Sequence, residues 1–100
     1  MRDGYRLMFG AFDKPDEPKA QALKPLEEAA EVFGAWQDCD GMRFSPIMTA
    51  RRAYRQNLID ECMDVVQAVV NLLDAEEFTQ EDVDAAIGRC NARNRERGRL

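Results

Sequence analysis

Between Asn57 and Glu76 the sequence carries the period of an α-helix more strongly than anywhere else in the chain. Placed on a wheel at about 100° per residue, its apolar residues fill an arc of roughly 240°, and Asp60, Gln67 and Asp74 form a seven-residue stripe left for water. An arc that wide asks for more than one neighbouring helix. Glu61 breaks the pattern. It falls about 100° from the polar stripe, in a sector shared with Val65, Ala68 and Leu72. A lone carboxylate buried there costs several kcal/mol unless it is paired or metal-bound. Asp64 and Asn71 lie between Glu61 and the stripe, so Glu61, Asp64, Ala68 and Asn71 line one strip that reads as half of a polar site.

The remaining chain is also helix-forming, punctuated by four prolines and six glycines. A first helix starts at Pro18 or Pro25, both suited to a first turn, and runs to about Asp38 before the Cys39-Asp40-Gly41 break. Ser45-Pro46 reads as an N-cap and first turn; the stretch it opens, with Arg51, Arg52, Tyr54 and Arg55, is either a short helix or the start of the next one. Thr79 with Asp82 predicts a capping box for a last helix, and Gly98 is its terminator. Residues 1–14 have no period, but Tyr5, Leu7, Met8, Phe9 and Phe12 suit a docked arm, and residues 89–100 form a basic helix end. The expectation is one all-α domain over 1–100, four-helix-bundle-like and completed by oligomerisation, because a core of this size leaves much apolar surface uncovered.

Charge and composition narrow the function. The net charge is -5, yet residues 89–100 carry five arginines against Glu96, so residues 1–88 alone stand at -9. An acidic body repels nucleic acid polymers and membrane phosphates and attracts divalent cations, while a basic end suits the phosphates of a small ligand. Cys39, Cys62 and Cys90 are odd in number and lack metal-ligand spacing, and no segment reads as a membrane span or secretory signal; reduced thiols and a cytoplasmic location are expected. Histidine is absent, which removes Ser-His-Asp and Cys-His nucleophiles and histidine-based metal sites. The chemistry must run on carboxylates.

On the first helix, Leu26, Ala29, Ala30, Phe33 and Trp36 fall within roughly 120° of one another, and Glu27, Glu28 and Glu31 occupy a nearly opposite arc. Alone this is an ordinary amphipathic helix with a solvated acidic side. Set against Glu61 and Asp64, the acidic arc supplies the other half of the site. Crowded carboxylates raise one another's pKa, so an empty cluster destabilises the fold and a cation relieves it. Oxygen-only ligands point to a hard ion, Mg²⁺ with Mn²⁺ as a substitute, which takes phosphate oxygens as further ligands. A carboxylate left free of metal serves as base for metal-assisted hydrolysis, and Glu28, Glu31 and Glu61 all remain open for that role.

The motifs Glu27-Glu28-x-x-Glu31 and Glu61-x-x-Asp64, with Asn71 seven residues further on and a terminal Asn94-x-x-Arg97-Gly98, resemble the MazG-like all-α nucleoside triphosphate pyrophosphohydrolases over about residues 20–99. The resemblance implies cleavage between the α and β phosphates to monophosphate and pyrophosphate. It further implies Mg²⁺ held by Glu27, Glu28, Glu31, Glu61 and Asp64, substrate contacts from Asn71, Asn94 and Arg97, and a homodimer or tetramer whose chains share the site. One departure is the 29-residue spacer between Glu31 and Glu61, at the long end of the family's range. A phosphoribosyl-ATP pyrophosphohydrolase shares the chemistry, and a non-catalytic helical scaffold or regulatory oligomer would carry the same helices without it.

Other residues have plainer readings. Arg51, Arg52 and Arg55 are read as pairing with the acidic body ahead of contacting phosphate. Asn94 and Arg97 either clamp a triphosphate or close a helix end, where cations suit the dipole. Trp36 is read as core packing beside Phe33, and Cys62, opposite Asp64, as a small buried hydrophobe.

Overall fold

Three helices, α1 (Pro18–Gly41), α2 (Met48–Ala75) and α3 (Gln80–Glu96), make up the regular structure. The computed structural model describes residues 2–100, and no strand occurs among them. The helix starting at Pro18 carries Pro25 inside it and runs three residues past Asp38. The arginine-bearing stretch is not a separate helix. It is the first part of a single 28-residue α2, whose N-cap is Ile47 with no side-chain hydrogen bond. Ser45 caps nothing in the helix; its Oγ accepts the Ile47 N–H at 3.2 Å and shapes the turn before it.

Local chemistry ends the helices. After α2, the Phe78 N–H reaches Leu73 O at 3.1 Å and the Glu77 N–H reaches Asp74 O at 2.9 Å, the paired bonds of a Schellman turn. Glu77 fills its left-handed position at φ 63°, where glycine is the usual residue. Thr79 and Asp82 then form a reciprocal capping box, with bonds of 2.9 and 3.1 Å. Gly98, at φ 71°, ends α3 with the same paired bonds, Arg99 N–H to Asn94 O and Gly98 N–H to Arg95 O.

Only α1 and α2 pack together. Their seam is made of small residues: Ala35, Cys39 and Ala68 are buried, along with the polar Gln21. Small side chains let the two backbones approach and leave bulkier ones outside. Leu26 (69% exposed), Phe33 (60%) and Trp36 (44%), expected in a core, therefore face away from α2, with Phe33 and Trp36 stacked on each other at 6.1 Å. The α3 helix packs on neither α1 nor α2; a concavity beside it is shared with Leu73 of α2 and with Phe78 in the turn that follows. The radius of gyration is 16.5 Å, against about 13 Å for a compact chain of this length. A single chain thus presents a helical hairpin with a projecting third helix.

Residues 9–12 lie along α2. The Phe12 N–H donates to Asn71 Oδ1 at 3.0 Å, and Gln67 Nε2 donates to Gly10 O at 2.8 Å and to Asn71 Oδ1 at 3.0 Å. Phe9 and Ala11 are half-buried, whereas Tyr5, Leu7, Met8 and Phe12 remain exposed.

Candidate metal centre

The heptad rhythm of the α1–α2 seam decides which carboxylates meet. On α1, Gln21, Glu28 and Ala35 recur at seven-residue spacing, so Glu28 sits on the face turned toward α2, one turn from Val32. On α2, Glu61 shares its face with Leu58, Val65 and Ala68, in the sector that its position on the wheel predicts. Glu28 and Glu61 are half-buried and Glu31 is exposed, and carboxylate oxygens of all three lie within 4.8 Å of one another. Acidic side chains from two helices therefore converge across the hairpin.

The electrostatics are those of a crowded anionic site. Desolvation raises the pKa of Glu28, repulsion by Glu31, a hydrogen bond to it and the Asp64 charge add to the rise, and Lys24 opposes it. Desolvation likewise raises Glu61, followed by a hydrogen bond to Glu31 and repulsion from Glu31, Asp64 and Glu28. Glu61 Oε2 is buried with no hydrogen-bond partner. A buried acceptor left unmatched in an oxygen-only cluster is the arrangement a hard divalent cation fits.

The flanking cleft, of about 290 Å³, is lined by Gln21, Lys24 and Glu28 of α1, by Asp64, Gln67, Ala68 and Asn71 of α2, and by Phe12 and Asp16 of the N-terminal arm. Asp64 is exposed, and its charge adds to the rise in the pKa values of Glu28 and Glu61. Asn71 lines the same cleft about two turns beyond Asp64 on α2, and its amide oxygen is already engaged by the arm and by Gln67.

Other expected site residues stand elsewhere. Glu27 is exposed and pairs with Lys24 at 3.4 Å, outside the group of converging glutamates. Asn94 and Arg97 close the far end of α3, which does not pack on the hairpin; the Asn94 side chain bonds Cys90 Sγ and accepts from Arg99 at 3.4 Å. The expected pairing of Arg51, Arg52 and Arg55 with the acidic body is absent among the described residues, whose ion pairs are Lys24–Glu27 and Arg43–Asp40. Cys39, Cys62 and Cys90 are free thiols, Cys62 half-buried.

Three residues near the site carry more than the sequence reading assigned them. Gln67, placed by its spacing on the water-facing stripe, is half-buried and bridges Asn71 to the arm; its position four residues before Asn71 is the signal for that bond. Gln21 is 3% exposed and its Oε1 accepts the Asp16 N–H at 3.0 Å. Lys24 supplies the cation nearest Glu28. Comparisons with models of protein families, with curated proteins and with solved structures find no match.

Proposed function

We propose that this chain is a magnesium-dependent nucleoside triphosphate pyrophosphohydrolase of the MazG-like kind, cleaving between the α and β phosphates and working in the cytoplasm. The observation that carries the reading is the convergence of Glu28, Glu31 and Glu61 within 4.8 Å from two helices, with Glu61 Oε2 buried and unmatched. Glu28, Glu31 and Glu61, with Asp64 beside them, would hold the ion, and Mn²⁺ would substitute for it. When bound, magnesium neutralises charge on the phosphate oxygens and makes water a better nucleophile. The residues of the chain do the rest. Of Glu28, Glu31 and Glu61, a carboxylate not engaged by the ion would serve as the proton acceptor, and the raised pKa values of Glu28 and Glu61 favour those two for the role. Asn71 offers its amide to a sugar or base once the Phe12 N–H releases it.

The exposed arc of Leu26, Phe33 and Trp36 and the unsupported α3 favour completion of the bundle by a second copy, as a dimer or tetramer. In such an assembly the α3 end of a partner would bring Asn94 and Arg97 to the cleft.

The test is a screen for pyrophosphate release across ribo- and deoxynucleoside triphosphates and phosphoribosyl-ATP, with magnesium or with chelator. Pyrophosphate from a triphosphate, lost in Glu61→Gln and Asp64→Asn proteins of unchanged helicity, is the expected result. Orthophosphate as primary product, or undiminished release by both variants, rules the proposal out.

A further inference from the structure

The N-terminal arm lines the cleft beside the carboxylates and is bonded to both helices. The Asp16 N–H donates to Oε1 of Gln21 on α1 at 3.0 Å, the Phe12 N–H donates to Oδ1 of Asn71 on α2 at 3.0 Å, and the Gly10 carbonyl accepts from Gln67 on α2 at 2.8 Å. The two attachments differ in strength. Gln21 is 3% exposed, so its bond to Asp16 is shielded from water. The two bonds to α2 are exposed, and between Tyr5 and Phe12 only Phe9 and Ala11 are as much as half-buried. No ion pair among the described residues ties the arm down. Between the two attachments the chain bends at Asp13 and Lys14. A segment held by a few exposed hydrogen bonds and little apolar burial opens at low cost.

We infer that residues 9–12 are an autoinhibitory strap, which keeps the cleft closed until a ligand displaces it and which swings about residues 13–14 with Asp16 as its fixed end. The inference rests on the reading of this cleft as the triphosphate site. With the strap in place the cleft holds about 290 Å³, below the range of about 300–1,000 Å³ usual for small-molecule sites. A nucleoside triphosphate therefore needs the space that Phe12 borders, and it needs the Asn71 oxygen that the Phe12 N–H occupies. Strap and ligand compete for one place. The apparent affinity is then the intrinsic affinity reduced by the fraction of open protein, so weakening the strap tightens binding. An arm that only supported the fold would do the opposite, because loosening it would loosen the site.

The test compares two full-length variants, Phe12→Pro and Phe12→Ala. Both remove the ring, and only the first removes the N–H that holds Asn71. Position 12 lies outside every helix, so helicity should be the same in the two. Isothermal titration with the four α,β-imido 2′-deoxynucleoside triphosphates, each with magnesium, should find the Pro variant binding about fivefold tighter than the Ala variant, the effect of one hydrogen bond. Amide exchange in the wild type needs no substitution: saturating analogue should speed exchange at Phe12 at least tenfold and leave Asp16 unchanged. Equal affinity of the two variants, weaker binding by the Pro variant, or binding with Phe12 still protected would overturn the strap and leave the triphosphate reading standing. Failure of all four analogues to bind any of the proteins would overturn both.

Discussion

Replacing Glu61 by Gln should reverse the order of stability between metal-free and metal-loaded protein. The substitution keeps the shape of the side chain and removes one charge from a cluster whose oxygens lie within 4.8 Å of one another. That separation is well inside the Debye length of about 8–10 Å at ordinary ionic strength, so salt leaves most of the repulsion in place. The sign follows from the raised pKa of Glu61. The folded state holds its proton at pH values where the unfolded state has lost it, so stability falls as pH rises from about 4.3, the ordinary glutamate value, through the raised folded one. Above that raised value the metal-free wild type carries the disadvantage in full. The Gln variant does not, and should melt at a higher temperature in chelator.

Magnesium changes the ranking. An ion bound only by the folded state, at a hundred times its dissociation constant, contributes about 2.7 kcal/mol. For a domain of this length 1 kcal/mol moves Tm by about 4–8 °C, so the wild type should gain roughly 10–20 °C. Glu61→Gln should gain only a small part of that and finish below the wild type. Melting followed by circular dichroism across a magnesium titration measures both arms. Equal gains in the two proteins, or no saturable gain in the wild type, would refute a metal role for the cluster.

Further outcomes follow from the packing. Ala68→Leu overfills the α1–α2 seam, where Ala68 is buried at 6% exposure, and should lower stability by about 1–3 kcal/mol, read as a reduced urea midpoint. Thr79→Ala removes the capping box from a helix that packs on neither neighbour, so its cost of about 1 kcal/mol should appear as faster amide exchange in α3 with α1 and α2 unchanged. Hydrogen bonds to Thr79 hold the Asp82 pKa below its ordinary value. The stability they give is present above about pH 3.9 and lost as pH falls through the lowered folded value, so α3 should fray on acidification before α2 does. Phe33→Glu places a charge on the exposed aromatic pair and should shift the sedimentation coefficient to that of the monomer if a second copy covers that face.

What the sequence reveals and what it hides divide along a physical line. Caps are local: four residues decide the Thr79–Asp82 box, and Gly98 alone supplies the left-handed residue that ends α3. The position of Glu61 is also legible, because the α2 period is strong enough to identify the face it interrupts. The orientation of α1 is not. It offers two arcs, one of bulky Leu26, Phe33 and Trp36 and one of Gln21, Glu28, Ala35 and Cys39, and hydrophobicity ranks the first higher. The chain packs the second, because close approach over Ala35 and Ala68 needs small residues, not the most apolar ones. Arginine pairing is illegible for a similar reason. It depends on which carboxylates come within reach at the hairpin turn, and only Asp40 does.

That choice of arc links the site to the assembly. Had α1 buried Leu26, Phe33 and Trp36 against α2, its acidic arc would face water, and Glu28 would stand away from Glu61. Packing through small residues instead turns Glu28 inward, with Glu31 one turn on, to meet Glu61, and leaves the aromatic arc exposed by the same rotation. The two features are one geometric event. Convergence of the carboxylates opposes folding of the hairpin by repulsion and desolvation, and exposure of the aromatic arc forfeits the apolar burial that would offset it. A lone chain carries both penalties. A cation removes the first and a second copy of the chain the second, so metal affinity and self-association should strengthen one another through the orientation of α1.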